Sequence, residues 1–363
     1  MKTYKNLWTT LCSFDNLFSA YEKAKHHKST NTVVQKFEEH WRLHLCTLLK
    51  ELRTKTYKPK PLETFVLRDP KTRTICVSNF RDRVVHHALV NVLQSIFEPK
   101  FIYDSYASRK DKGTSAALQR LDSFICKVTT NGKKVPETSN ANDVCAFALK
   151  ADIQHYFDTV DHNCLLNIMS RYIKDKDVIW LVQTILNHYN SGTPRKGMPL
   201  GNWTSQFFAN IYLNELDQFV KHTLKSKYYI RYVDDFVILH RHKSVLQEYE
   251  FKIKEFLAAL KLELHPTKCK IIPLRCGISW LGFRVFYHHK LPRQRNVRKI
   301  WNRIKQLLDE YEEGKTAAVD VFETLQGWKG YAIMGNTYNC RAKLRMMTEA
   351  ELQRRTELRK LEL

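Results

Sequence analysis

Tyr232-Val233-Asp234-Asp235-Phe236 is the stretch on which the reading of this chain turns. Apolar, β-prone residues flank it: Tyr228, Tyr229 and Ile230 before, then Phe236, Val237, Ile238 and Leu239 after. The pattern predicts two strands meeting at a turn that carries two adjacent carboxylates. Such carboxylates repel each other and resist desolvation, and they stay ionised at low cost only where a cation neutralises them. A solvated turn would be spelled in a similar way, since Asp is common in turns.

Working outward, Phe147 to Ile153 alternates, with Phe147, Leu149, Ala151 and Ile153 on one face and Lys150 and Asp152 on the other. That predicts a half-buried strand pointing Asp152 away from the core. The aromatics Tyr156 and Phe157 follow it. Three carboxylates on neighbouring strand ends would form a hard-oxygen cage suited to Mg²⁺, which takes few protein ligands and completes its shell with substrate phosphates. Two such ions, roughly 4 Å apart, can activate a hydroxyl nucleophile and stabilise a leaving pyrophosphate. Spacing alone does not say whether the two strands are neighbours.

The rest of the chain reads as a mixed α/β body. Val33 to Leu52 has helical spacing of apolar residues, and so has Asp82 to Phe97, which Pro99 ends. Between them, Thr64 to Leu67 and Thr74 to Val77 flank Arg68-Asp69-Pro70-Lys71-Thr72-Arg73, a basic β-hairpin signal. Lys127 to Asn142 is polar and predicts an exposed insertion loop. Helices are predicted over Asn163 to Tyr189, Trp203 to Leu224 and Ser244 to Leu260. A Gly/Pro-marked loop is predicted from Gly192 to Gly201, and short strands around Ile271 and from Ile278 to Tyr287. From Val297 onward only helices are predicted. Val297, Ile300, Trp301, Ile304, Leu307, Leu308 and Tyr311 form one stripe, and Gly314 separates it from a second helix near Ala317 to Tyr331.

Composition narrows the partner. Lys and Arg number 60 against 37 Asp and Glu, a net charge of +23. An excess of that size points to a polyanion, because each cation near a phosphate releases condensed counterions. A ribosomal or other RNA-packaging protein would share it. A membrane surface fits less well, since the basic residues run along the whole chain. No apolar run approaches the roughly 20 residues that span a bilayer. Met1 to Lys25 is charged throughout, without the apolar core of a signal peptide. The nine cysteines are scattered with no C-x-x-C pair, which suits reduced thiols rather than a disulfide framework or zinc site. A cytoplasmic protein is expected, with no membrane partner.

Taken in order, seven blocks resemble the reverse transcriptase family over nearly the whole chain. Leu149-Lys150-Ala151-Asp152-Ile153-Gln154-His155-Tyr156-Phe157-Asp158 is similar to the family's first catalytic motif, and Tyr232 to Phe236 to its Tyr-x-Asp-Asp motif. Lys196-Gly197-Met198-Pro199-Leu200-Gly201 resembles the template and nucleotide loop. Arg68 to Arg73 with Arg81-Asp82-Arg83 resembles the fingers hairpin, and Ser105-Tyr106-Ala107-Ser108-Arg109 the next fingers block. Leu264-His265-Pro266-Thr267-Lys268 is similar to the lysine-bearing motif, and Trp280-Leu281-Gly282-Phe283 to the primer-grip turn.

The resemblance implies an α+β right hand: N-terminal helices and fingers over 1–145, a palm with an antiparallel sheet over 146–290 and a fingers-like helical excursion at 163–198, and a helical thumb over 291–363. It implies two Mg²⁺ ions, with Mn²⁺ able to substitute, on Asp152 and Asp234, with Asp235 assisting and the Ile153 carbonyl contributing. Arg68 or Lys71, with Arg73, would hold the triphosphate of a deoxynucleotide; an exposed charged hairpin is the plainer reading of the same residues. Phe157 falls where the family places its sugar gate, although a core aromatic at a strand end would look alike. Lys268 would protonate the leaving pyrophosphate, and Gly201 would let backbone approach the nucleotide. Arg293, Arg295, Arg298, Lys299 and Arg303 would contact the phosphates of an RNA/DNA hybrid, or else form the solvated face of a helix.

One departure points to a subfamily. Many members have Gln before the motif glycine, whereas here the sequence is Leu200-Gly201-Asn202-Trp203-Thr204-Ser205-Gln206. This Leu-Gly-x-x-x-Ser-Gln pattern resembles the enzymes of diversity-generating retroelements, which copy a template RNA with errors at adenines and act with a small basic accessory protein. An aliphatic Leu200 cannot make the hydrogen bonds of a Gln amide, so pairing geometry would be less constrained there. No stretch resembles the maturase or endonuclease regions of group II intron enzymes, and no Val-Thr-Gly segment of the retron type follows the palm. The expected source is bacterial or phage. The rivals are a group II-like or phage-defence branch, an RNA polymerase or primase, and a non-catalytic RNA-binding scaffold.

Overall fold

The computed structural model describes residues 2–68, 72–134 and 143–361, and the fold is a mixture of helices and antiparallel strands. In chain order the strands are β1 (Glu63–Leu67), β2 (Arg73–Val77), β3 (Phe147–Asp152), β4 (Tyr228–Tyr232), β5 (Asp235–His240), β6 (Lys270–Pro273), β7 (Ile278–Trp280), β8 (Phe283–Val285) and β9 (Lys290–Pro292). β1 and β2 pair as an isolated hairpin, β4-β5-β3-β6 is a four-stranded order, and β7-β8-β9 is a meander. The chain divides into two compact units, one of Met1–Lys110, Ala151–Val237 and Glu248–Cys269, the other of Asp111–Lys150, Ile238–Gln247 and Lys270–Leu363.

The first unit is built around the helix Phe80–Phe97. Asn79 opens it by accepting the Arg81 N–H on its side chain, which satisfies one donor that the first turn leaves orphaned. Val84, Val85, Leu89 and Leu93 are buried along it, and Phe14–Lys25 and Trp203–Gln218 pack against it. Two helices predicted as single are broken. Thr32–Glu39 and Trp41–Arg53 are interrupted at His40, which leaves helical geometry at φ −131°. His162–Ser170 and Lys176–Asn187 each start on an aspartate: Asp161 accepts from the Cys164 N–H and Asp175 from the Asp177 N–H. Apolar periodicity continues across both breaks, so the pattern does not mark the ends; the backbone turn at His40 sets the first break and the Asp175 cap the second.

The β1–β2 hairpin pairs Phe65 with Ile75 and Leu67 with Arg73. Its tip, with Lys71, lies outside the described residues. β4 and the start of β5 form the predicted central hairpin.

In the second unit, Phe147 to Lys150 of β3 pairs antiparallel with β6. Ala148 is buried as fully as Leu149, so this part of the strand is covered on both faces rather than half-buried. The polar stretch at 127–142 is described only in part; Lys127 and Val128 finish the helix Thr114–Val128, and Thr129 is buried with its hydroxyl donating to the Ile125 carbonyl (2.8 Å). Leu281 and Gly282 both have positive φ, which suits the two-residue turn joining β7 to β8. The Gly282 carbonyl accepts the Tyr331 hydroxyl (2.8 Å). Gln294–Glu312, Ala318–Ala332 and Tyr338–Leu361 close a small core of Ile300, Ile304, Leu307, Leu308, Val321, Leu344 and Leu352. No described helix is long and apolar enough to cross a membrane.

Candidate active site

The carboxylates come together through backbone pairing. The Ile153 N–H donates to the Asp234 carbonyl (3.1 Å), which ties the end of β3 to the turn between β4 and β5. On its other side the same strand end is held by 263–265: Gln154 N–H donates to the Glu263 carbonyl (2.8 Å) and His265 N–H to the Asp152 carbonyl (2.7 Å). Asp152, Asp234 and Asp235 are each half-buried. Ile153 is fully buried, so its side chain belongs to the core and only its backbone is available to a ligand.

The electrostatics agree with that convergence. Burial pushes the Asp234 carboxyl above the usual carboxylate range, and the negative charge of Asp152 adds to the effect. Lys268 and Arg73 pull the other way. The Lys268 ammonium donates to Asp152 Oδ1 at 2.7 Å, aimed there by the His265–Lys268 turn. Among the described residues, no three His, Cys, Asp or Glu side chains form a ready-made metal cluster. The donor set nonetheless fits Mg²⁺: hard carboxylate oxygens, few in number, whose mutual repulsion a cation relieves. The Lys268 ammonium already supplies one such cation to Asp152.

The other expected site residues divide. Arg73 is exposed at the start of β2 and close enough to act on Asp234. Arg68 is exposed just past β1, and Lys71 lies outside the described residues. Phe157 is half-buried with its ring edge-on to Tyr156, and its carbonyl accepts the Met198 N–H (2.6 Å). The loop bearing Gly197 is thereby fastened beside the end of β3, since the Gly197 N–H also donates to the Val160 carbonyl (2.8 Å). The Leu200 carbonyl accepts the Cys76 N–H (2.8 Å). Gly201 has φ 116°, and a Cβ there would stand 2.9 Å from Ile75 Cγ2 and 3.0 Å from the Cys76 carbonyl oxygen. The close approach that demands glycine is therefore the β2 strand itself. Gln206 is exposed and accepts the Ser108 hydroxyl (2.8 Å). In the second unit Arg295, Arg298, Lys299 and Arg303 are exposed, while Arg293 is half-buried and donates to the Ser279 carbonyl (3.3 Å).

Behind the turn lies a set of residues that sequence reasoning missed. Arg231 and Asp217 form a fully buried ion pair, with Nε to Oδ1 at 2.7 Å and Nη2 to Oδ2 at 2.6 Å. The Tyr229 hydroxyl also donates to Asp217 Oδ1 (2.7 Å). The remaining guanidinium nitrogen donates to Asn210 Oδ1 (3.2 Å) and to the Val233 carbonyl (2.9 Å). Val233 has φ 55°, a left-handed conformation that a β-branched residue adopts only under constraint. The buried pair thus holds the strained residue immediately before Asp234. Ser105 adds a parallel bridge to Arg231. The signal was present in the sequence: an Arg inside an apolar strand and an Asp inside an apolar helix each require a buried partner.

Comparison with known proteins gives a consistent result. A model of the family described as reverse transcriptase (RNA-dependent DNA polymerase) matches residues 58–285. The putative COX1/OXI3 intron 2 protein of Saccharomyces cerevisiae is 26% identical over 197 residues, 51% of this chain and 21% of its own length. Protein YkfC of Escherichia coli is 25% identical over 281 residues, 66% of this chain and 71% of its own. The group II intron-encoded protein LtrA of Lactococcus lactis subsp. cremoris is 26% identical over 181 residues, 48% and 27% of the two chains. The alignment thus spans between a fifth and a third of the two intron-encoded relatives.

Proposed function

The chain belongs to the reverse transcriptase (RNA-dependent DNA polymerase) family, and on that premise we propose that it copies a template RNA into cDNA from deoxynucleoside triphosphates. The observation that carries this reading is the backbone bond from Ile153 to Asp234, which brings two mutually repelling carboxylates together beside Lys268 and Arg73. Bound Mg²⁺, two ions in this reading or Mn²⁺ in their place, would supply charge neutralisation and a more acidic primer 3′-hydroxyl. Asp152 and Asp234 would hold it, with Asp235 and the Ile153 carbonyl contributing. Arg73, with Arg68 and Lys71, would fix the triphosphate, where preorganised cations offset developing charge. Lys268 would hold the proton that the pyrophosphate takes as it leaves. Phe157 would exclude a ribose 2′-hydroxyl. The division into fingers at 1–145, palm at 146–290 and thumb at 291–363 belongs to the same proposal.

Within the family we assign the chain to the diversity-generating retroelement type, cytoplasmic and working with a small basic accessory protein. Leu200-Gly201 with Ser205-Gln206 supports this, as does the position of Leu200, half-buried with its carbonyl held by β2. A group II intron-like enzyme is the second reading, favoured by the names of two relatives. Primer extension on an RNA template, with Mg²⁺ and all four deoxynucleotides and sequencing of products, tests both. DNA product that falls by about 10³-fold or more in Asp234→Ala is expected, since the lost charge stabilisation is worth several kcal/mol. Errors concentrated at template adenines would support the retroelement assignment, and accurate copying would favour the intron-like branch. No product with cognate RNA and accessory protein present would leave a binding scaffold.

A further inference from the structure

His162 is 2% exposed at the first position of the helix His162–Ser170, and the proposed reaction gives it no role. Its Nε2 lies 2.7 Å from the Gly197 carbonyl oxygen. A carbonyl only accepts, so the proton sits on Nε2 and the ring donates. Nδ1 is then an acceptor, buried and with no hydrogen-bond partner among the described residues. A buried acceptor left unpaired costs free energy. A leucine would fill much of the same space without that penalty, so stability alone does not explain a histidine here.

What the bond fixes is one peptide plane. His162 holds the Gly197 carbonyl, and the N–H of the same peptide group, that of Met198, donates to the Phe157 carbonyl (2.6 Å). Gly197 has φ 86°, and at a glycine a peptide plane turns with little steric resistance. Bonds at both ends of the plane remove that freedom. The backbone around them is a short ladder. The His162 N–H donates to the Arg195 carbonyl (3.0 Å) and the Gly197 N–H to the Val160 carbonyl (2.8 Å), with Asp161 opposite Lys196. Arg195 is left-handed at φ 57°, so the loop enters this ladder under strain. Asp161 anchors it from the other side, its carboxylate accepting the Cys164 N–H (2.8 Å) and the Lys261 ammonium (2.8 Å).

Phe157 is at the receiving end. Its ring lies edge-on to Tyr156, whose hydroxyl donates to the Ala209 carbonyl (2.9 Å), and its backbone is tied to Met198. The first restraint is part of the core, whereas the second is only as firm as the plane that His162 holds.

We propose that His162 is a specificity-determining positioning residue: by locking the peptide between Gly197 and Met198 it holds the Phe157 backbone, and with it the ring that excludes a ribose 2′-hydroxyl. This deepens the polymerase reading and rests on it. His162 acts at two removes, through the peptide and then through Phe157.

The test measures incorporation of one deoxynucleotide and of the matching ribonucleotide on a primed RNA template with Mg²⁺. Amide hydrogen exchange of the 195–201 segment is followed in parallel, without nucleotides. His162→Leu should lower the preference for deoxynucleotide about tenfold, as a small misplacement of a positioning group can, and should speed the exchange. His162→Gln, whose amide N–H can reach the same carbonyl, should keep both within about twofold of wild type. His162→Asn, too short for that reach, should behave like the leucine variant and replaces it if thermal melting shows the latter unfolded. Phe157→Ala should lower the preference at least as far, and adding His162→Leu should lower it no further, since both act through one ring. An equal fall with both nucleotides in His162→Leu would overturn the proposal. So would a glutamine variant no better than leucine, or losses that multiply in the double variant. The exchange needs no turnover: a wild-type chain that makes no DNA would sink the polymerase reading, while unchanged exchange in His162→Leu would sink the lock itself.

Discussion

Two ionic arrangements sit at opposite ends of one hairpin turn, and they obey opposite rules. Behind the turn, Arg231 and Asp217 are 0% exposed, and their charges and hydrogen bonds are matched within the protein. At the tip, Asp152 and Asp234 face each other half-buried, and burial and mutual repulsion hold the Asp234 carboxyl above its ordinary range. A buried pair that is complete contributes rigidity and needs nothing further. A cluster left electrostatically unfinished has capacity for a ligand, and the folded state bears that cost. Structure and chemistry are thus divided over a few residues, with Val233, strained at φ 55°, as the link.

The comparison breaks most decisively at the brace. Arg231→Met leaves Asp217 charged and buried, which should cost about 3–5 kcal/mol of stability and lower the urea midpoint. Adding Asp217→Leu should recover much of that stability, yet not the activity, because the bond to the Val233 carbonyl is still missing. A single variant as stable as wild type, or a double variant with full activity, would show that the pair does not position the turn.

At the tip the effect should appear in rate rather than stability. Lys268→Gln removes the cation on Asp152 and the proposed proton donor together, and kcat for primer extension should fall by about 10²-fold. A small change in melting temperature is expected, since a partly exposed pair contributes little. If KM rises while kcat holds, Lys268 serves substrate binding and not proton transfer.

The smallest effect has an unusual sign. The pKa of Asp234 in the fold lies above its unfolded value, so its ionised form is penalised. That penalty is absent at pH values below the ordinary carboxylate range and grows as pH rises through the folded pKa. In metal-free buffer at pH 7, Asp234→Asn should therefore melt about 2 °C higher than wild type, with no difference near pH 3. Mg²⁺ should then stabilise the wild type more than the variant. A variant less stable at both pH values would mean that Asp234 serves the fold instead.

Much of this was legible beforehand. The hairpins Thr64 to Val77 and Tyr228 to Leu239 appeared where turn chemistry and β-prone runs placed them, and Asp152 stands at the end of its strand as the alternation required. The helix breaks at His40 and between Ser170 and Lys176 were not legible, because the apolar stripe runs on while the backbone turn at His40 and the Asp175 cap set the boundaries. Gly201 was singled out for backbone approach to a nucleotide, and spacing gave no sign that Ile75 and Cys76 of β2 also crowd it.

By itself the sequence determined which residues carry charge at strand ends, where the turns fall and how far positive charge exceeds negative. Those are properties of short segments and of composition, set by periodicity, turn propensity and charge count. Only the tertiary structure decided that Asp152 meets Asp234, that Lys268 reaches across 116 residues to Asp152, and that Arg231 finds Asp217. Those pairings depend on backbone hydrogen bonds between distant segments and on burial that forces each charge to find a partner, and neither is written in local spacing.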